Sequence, residues 1–554
     1  MSRTSLLSDD LKRLIGQHFV VGFHGFEPSD NIKTLIQEYH VGNIILMKRN
    51  IQSARQTREL VDSLQTLARE SGQQKPLFIG IDQENGLVSA FSSPTAGATL
   101  PGAMALAAAQ SPELVEQVYK ASGAELKAVG INWVYSPVAD VNTDSRNPVI
   151  GVRSFGDDPN RVATLVTAAS RGSVSAGVAP SAKHFPGHGD THVDSHLGLP
   201  RIEKTKVQID AEELVPFRAL VAEGVPSIMI GHMALPLIIG DDTPCSVSKQ
   251  IVTGILREEM RYEGLVVTDC LEMDAVAEGV GISEGAVRAL EAGVDVVMIC
   301  HTFERHVDAI QAAYRAVESG RLDPENLKRS GDRIAKMKAN FATQNIKNLG
   351  SEDWDAYFQK IHAESLKLSR EAYPKSTTIV WDSGALPLPH GGPDNSHIVL
   401  LTPMLESVNR AVDPGDGSLV GPNGVKNTAG AAYLALAASL EKRTVLRHAV
   451  YGDKDDIPVN IFDGSRGVIF VMRNADLKPW QMARLEGLDL RAKGVPVVLV
   501  SSCGPYDLSG NQNGYKNWTA YIATYEFTAQ ALEAAVAVIF GQVEGTGKMP
   551  VRVQ

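Results

Sequence analysis

The chain has 554 residues, too many for one typical hydrophobic core, so two or three domains are expected. Its formal charge of −11 is not gathered into a tail, which argues against nucleic acid and anionic membranes as main partners. The four cysteines, Cys245, Cys270, Cys300 and Cys503, are far apart in sequence and give neither a zinc-ligand pattern nor a disulfide framework, as suits a reducing compartment.

The first residues place Asp9, Asp10, Lys12 and Arg13 where a signal peptide needs an apolar core, and no apolar run is long enough to span a membrane. A cytoplasmic protein is expected. From there short apolar runs alternate with amphipathic stretches. The runs are His18–Phe23, Asn43–Met47, Leu77–Asp82, Ile131–Val141, Ala179–Phe185, Ser227–Met233, Leu265–Asp269 and Val294–Cys300. They are rich in Val and Ile and do not alternate with polar residues, as expected of parallel strands buried on both faces. Helical segments lie between them, among them Ser53–Arg69, Pro112–Lys127, Pro159–Ser175, Ala211–Ala222, Ser248–Arg261 and Phe303–Ser319. Asp323-Pro324-Glu325 opens a further helix with an N-cap, a proline at the first helical position and an early acid. Eight such βα units predict an α/β fold, a (β/α)8 TIM barrel over residues 1–342.

A Gly-poor helical linker over residues 343–373 follows. The βα rhythm then restarts with Thr377–Trp381, His397–Leu401, Thr444–Tyr451, Gly467–Met472, Val497–Ser501 and Ala520–Ala523. These predict a smaller, doubly wound α/β sandwich domain over residues 374–554. The Gly-rich stretch Pro414–Gly430 lacks the Gly-Lys-Ser/Thr ending of a phosphate loop and reads as a surface loop.

The polar residues at the strand ends mark the functional face. Asp82, Asp140, Lys183-His184, His232 and Asp269 sit at or just past the C-terminal ends of different strands, and Met47-Lys48-Arg49 closes another. In a barrel those ends converge where the active site is built. The densest cluster is the loop from Lys183 to His196, which holds His184, His188, His192 and His196 with Asp190 and Asp194. On a helix the four-residue spacing would stack the imidazoles as zinc ligands. Pro186, Gly187 and Gly189 exclude that helix, and Ala179–Phe185 reads as a strand running into a loop. Histidines that merely satisfy loop hydrogen bonds are the plain alternative. Acid/base chemistry is the preferred one, chiefly at Asp194-Ser195-His196, where a carboxylate orients an imidazole and stabilises its charged form. Asp269, after four strand residues, reads equally as a rigid nucleophile at the barrel mouth or as a helix N-cap.

These segments together resemble the family 3 glycoside hydrolases, in their β-N-acetylglucosaminidase branch. The matching stretches are Gly42-Asn43-Ile44-Ile45-Leu46, Asp82-Gln83-Glu84-Asn85-Gly86, Ser136–Val141, Asn147–Phe155, the Lys183–His196 loop and Val266–Met273. In the second domain Ala520–Tyr525 and Gly547–Val551 extend the likeness. The resemblance implies a retaining, exo-acting glycosidase that releases terminal β-linked N-acetylglucosamine from chitooligosaccharides or from cell-wall or glycan fragments. By that resemblance Asp269 is the nucleophile, His196 the general acid/base and Asp194 its partner. Asp82, Arg153, Lys183 and His184 hold the sugar hydroxyls, and no cofactor or metal is expected. The implied partner is a small carbohydrate, with neither nucleic acid nor membrane. A neutral imidazole repels an anion less than a carboxylate does, so phosphate as acceptor, making the protein a phosphorylase, is an alternative. Others are a β-glucosidase of the same family, a metal-dependent hydrolase and a non-catalytic sugar-binding protein. The chain departs from the family pattern at Leu87 and Ala90, where relatives often carry arginines, and at Cys270, where an acid is common.

Overall fold

The structure is a computed structural model that describes residues 7–92, 94–191, 198–342, 351–390, 396–404, 429–453, 457–490, 494–509 and 518–553. Eight parallel strands close a barrel: β1 (Phe19–Val21), β2 (Asn43–Leu46), β3 (Phe78–Ile81), β4 (Trp133–Val134), β5 (Ala179–Phe185), β6 (Ser227–Ile230), β7 (Leu265–Cys270) and β8 (Val296–Ile299). Each pairs with its chain neighbour, and β1 closes the ring against β8. Seven fall within the apolar runs of the sequence, and β7 extends one residue past its run, to Cys270.

The outer helices start where the sequence supplies caps. Ser53, Ser111 and Asp158 accept backbone N–H groups at the starts of Ala54–Glu70, Pro112–Ala128 and Pro159–Ser175. The last two carry proline where no donor is needed. The barrel interior is filled rather than open. Phe78, Trp133 and Tyr135 pack with ring centroids 5.2 and 5.0 Å apart, among Val20, Ile45, Met229, Val267 and Met298. Helix Pro324–Phe341 closes the floor, where Lys338 donates to Gln17 Oε1 at 2.9 Å and to the Gly42 carbonyl at 2.8 Å.

One strand departs from expectation. The run Ile131–Val141 forms a continuous strand only over Trp133–Val134. Pro137 has no N–H to give the ladder, and past Val134 the chain follows β5 irregularly: the Ser136 and Pro137 carbonyls accept the Ser181 and Lys183 N–H groups at 3.0 and 3.1 Å, and the Ala139 N–H reaches the Lys183 carbonyl at 2.6 Å. This brings Asp140 beside His184 near the end of β5.

Helix Ser351–Ser376 packs onto the barrel. Trp354 donates to the Ala128 carbonyl at 2.8 Å and stacks on Phe358, and Ser369 donates to the Thr99 carbonyl at 2.7 Å. The second sheet contains β9 (Thr378–Asp382), β10 (His397–Pro403), β11 (Leu446–Tyr451), β12 (Ser465–Met472), β13 (Val497–Ser501) and β14 (Ala520–Ala523). Its order is β9-β14-β13-β12-β10-β11, parallel except for β9 against β14. Tyr506, Tyr525 and Val551 of this region bury Met104, Ala105 and Ala108 of the barrel, so an apolar contact joins the two. Residues 414–428 of the Gly-rich stretch lie outside the described residues.

Candidate active site

The site begins with the hairpin after β3. Asn85 and Gly86 both take left-handed backbone angles, φ 70° and 58°, and turn the chain so that Gln83–Asn85 pairs with Val88–Ser89. The turn places Glu84 inward. Its carboxylate accepts two bonds from Arg153, at 2.8 and 2.7 Å, and lies 2.6 Å from Lys183 Nζ. Burial would raise its pKa, but the Arg153 and Lys183 charges outweigh burial and hold it down at about 2. Lys183 also donates to Asp82 Oδ1 at 2.7 Å. Burial works against the Lys183 charge, and Asp82 and Glu84 more than offset it, so its pKa is raised.

A second chain of contacts runs through Asp140. Its carboxylate accepts the His184 Nδ1–H at 2.7 Å, the His184 backbone N–H at 3.1 Å and the His188 backbone N–H at 2.8 Å. Against the effect of burial, the two imidazoles and the backbone donors keep Asp140 ionised. His184 Nε2 then faces Arg153 Nη2 at 3.5 Å, which joins the two networks. His188 is buried, and burial with the nearby His184 charge lowers its pKa to about 4, so the imidazole is neutral near pH 7. The loop after β5 needs its glycines. Gly187 has φ +130°, and a Cβ on Gly189 would lie 1.6 Å from the Val141 carbonyl oxygen.

Asp269 is the penultimate residue of β7, half-buried, and its Oδ1 accepts the Cys270 N–H at 2.7 Å. It caps no helix: the next one, Asp274–Ala277, has Met273 at its cap position. The N-cap alternative is thereby set aside. Burial raises the Asp269 pKa, but His184, His232, the Cys270 N–H and Lys183 together bring it below the ordinary value. His232 bridges Ser246 Oγ at 2.8 Å and the Cys270 carbonyl at 2.9 Å, fixing the backbone beside Asp269. Asp269 and Asp82 line one cavity of about 320 Å³ with Met47, Met229, Met273 and Met298. A larger cavity of about 780 Å³ opens at the barrel floor around Pro226, Tyr262 and Phe341. It contains none of the strand-end residues, so volume is not what marks the site.

Of the residues singled out from sequence, Asp82, Arg153, Lys183, His184 and Asp269 are thus gathered on the C-terminal face of the barrel. Asp194 and His196 lie outside the described residues. Sequence reasoning gave no role to Glu84, which holds Arg153 and Lys183 together; the Asn85-Gly86 turn signal was the clue to its hairpin. It also gave none to Glu272, which accepts the N–H groups of Cys300, His301 and Thr302 at 2.9, 2.5 and 3.1 Å. Sequence separation concealed one more cluster. Ligand atoms of Cys270, Cys300 and His301 come within 4.8 Å of one another because β7 and β8 are neighbours. Across the rim, Arg473, Asp476 and Tyr506 of the second domain share a cavity of about 50 Å³ with Leu87 and Arg153.

Residues 9–337 match the model of the glycosyl hydrolase family 3 N terminal domain. Beta-hexosaminidase A of Pseudoalteromonas piscicida is 35% identical over 327 residues, covering 55% of this chain and 54% of that protein. The chain therefore spans about half the length of that relative. A solved structure of a glycoside hydrolase family 3 beta-N-acetylglucosaminidase from a Paenibacillus species is 33% identical, with a TM-score of 0.85 and 99% coverage of both chains. A fungal multi-domain GH3 beta-N-acetylglucosaminidase is 35% identical with a TM-score of 0.86, covering 98% of this chain and 60% of that one. No helix among the described residues is long and apolar enough to cross a membrane. With more than half its length matched by the family model and a solved relative matched end to end, the chain belongs to glycosyl hydrolase family 3.

Proposed function

We propose that the protein is a retaining, exo-acting β-N-acetylglucosaminidase that releases terminal β-linked N-acetylglucosamine from short oligosaccharides. The observation that carries this reading is Asp269, an ionised, half-buried carboxylate fixed at the end of β7 and sharing a cleft with Asp82. In this mechanism Asp269 attacks the anomeric carbon and forms a covalent glycosyl-enzyme. His196 gives a proton to the leaving oxygen and later takes one from the incoming water. An imidazole with an ordinary pKa near ~6.5 serves both steps near neutrality. Asp194 orients that imidazole.

Asp82, Arg153, Lys183 and His184 receive the sugar hydroxyls at the closed end of the cleft. Lys183 and Arg153 can do so without drifting, because Glu84 binds both. The names of the family members described above support the N-acetylglucosaminyl group. We further propose residues 1–342 as the catalytic domain and 374–554 as a second domain that reaches the rim through Arg473 and Asp476, and we place the protein in the cytoplasm.

Release of nitrophenol from an aryl β-N-acetylglucosaminide is the test, with Asp269→Ala alongside. We expect turnover by the native protein and a loss of at least about 10³-fold in the variant. Absence of turnover by the native protein, or equal rates in both, overturns the reading.

A further inference from the structure

Cys270 follows the proposed nucleophile, and the proposed reaction makes no use of its thiol. Across the barrel wall Cys270 pairs with Met298, and Cys300 stands two positions further along. The two sulfurs lie within 4.8 Å of each other. His301 comes next, and one ligand atom from each of the three lies within 4.8 Å of the others. All three line the cavity that also holds Asp82 and Asp269. We propose that Cys270, Cys300 and His301 form a binding site for a thiophilic divalent cation of the zinc class, and that its occupation blocks the sugar cleft.

The ligand set suits such an ion. Two thiolates and an imidazole leave one tetrahedral position open, and all three ligands line the cleft. Two thiolates also balance the charge of the dication, and their two protons pass to solvent as it binds. The backbone under the ligands is held in place. Glu272 accepts the N–H groups of Cys300, His301 and Thr302, and His232 binds the Cys270 carbonyl at 2.9 Å. Asp82, Asp269 and Glu272 border the same cavity and favour a cation.

The opposing charges include Lys183, Arg49 and Arg305, the last paired with Glu272 at 3.5 Å. Lys183 is committed to Asp82 and Glu84. Arg49 contacts the Cys300 carbonyl at 2.6 Å and His301 Nδ1 at 3.1 Å, so a metal taking that lone pair must displace Arg49. Arg49 therefore competes with a metal for His301 Nδ1.

A disulfide is the competing use of two close thiols. The diagonal from Cys270 to Cys300 combines one strand spacing with two residues of rise, roughly 8 Å between Cα atoms. That exceeds the reach of a disulfide without backbone movement. A metal bonding each sulfur at about 2.3 Å spans a longer gap.

The test is a cadmium titration of the phosphine-reduced full chain, read by the ultraviolet cadmium–thiolate charge-transfer band. One equivalent is expected to saturate a band with the intensity of two thiolates per ion, and zinc is expected to displace it. Cys270→Ser/Cys300→Ser should abolish the band, His301→Gln should weaken binding by roughly tenfold or more, and Arg49→Met should tighten it. No band in the native protein, or an undiminished band in the double serine variant, overturns the site. If the double variant does not fold, the native stoichiometry together with the opposite effects of His301→Gln and Arg49→Met decides the matter. The band reads binding directly, so the result stands even if the aryl glycoside is not turned over. With turnover, zinc should inhibit the native protein competitively and the double serine variant at least tenfold less; equal inhibition of both overturns the blocking role.

Discussion

The barrel rim and the second domain both bury carboxylates, and burial has opposite outcomes in the two. Glu84 is buried between Arg153 and Lys183 and stays ionised, with a pKa of about 2. Asp507 is as deeply buried in the second domain, and burial pushes its pKa up to about 7, although it accepts the Ala475 N–H at 2.5 Å. Glu526, at the contact between the two regions, is also raised by burial despite bonds from Gly102, Tyr373 and Thr528. Backbone and hydroxyl donors leave a buried carboxyl short of full stabilisation, Asp507 Oδ2 having no hydrogen-bond partner among the described residues, whereas paired cations hold the charge. The rim is therefore organised to carry fixed charge beside a cleft. The acids of the second domain are organised to fill hydrogen-bonding positions.

Breaking the ionic side of this contrast should have the largest effect. Glu84→Gln leaves the Arg153 guanidinium buried without its carboxylate, and we expect a loss of about 3–5 kcal/mol in urea unfolding. The pH dependence follows from the lowered pKa. Unfolded Glu84 takes up a proton near its ordinary value of 4.5 and the folded form only near 2. Its stabilisation is therefore complete above pH 4.5 and lost as pH falls toward 2. Glu84→Gln should flatten the acid limb of the stability curve; an unchanged acid limb would mean that the network does not hold the rim together.

Much of this arrangement was legible in the sequence. The eight barrel strands could be read because a strand buried on both faces leaves an uninterrupted apolar run, and Asp82, Lys183, His184 and Asp269 stood out as polar residues ending such runs. The pairings could not be read. Asp140 meets His184 only because the irregular segment after β4 runs on alongside β5, and Cys270 meets Cys300 only because β7 and β8 are adjacent.

The glycines of the Lys183–His196 loop were legible as helix breakers, but the need for Gly189 is tertiary: a Cβ there would collide with the Val141 carbonyl. Gly189→Ala should cost about 1–3 kcal/mol in thermal unfolding. Because the same loop carries Asp194 and His196, it should also lower turnover by about 10²-fold, as a small misplacement of reacting groups does. Turnover equal to the native rate would separate the loop from the chemistry.

The smallest effect, and the sharpest test of the contrast, belongs to Asp507. Here the folded pKa is raised, so the sign reverses. Between the ordinary carboxyl value of 3.8 and about 7 the folded protein holds a proton that the unfolded chain has released. Stability should therefore fall as pH rises through that window and level off above it. Asp507→Asn keeps an oxygen for the Ala475 N–H and has no charge to acquire. It should leave stability near pH 4 almost unchanged and raise it by on the order of 1 kcal/mol at pH 8. Urea unfolding at both pH values measures this directly. If Asp507→Asn instead destabilises the protein at pH 8 as Glu84→Gln does, the second domain must supply Asp507 with a cation, and Arg473, which stacks on Phe527 at 3.9 Å, is the group to replace next.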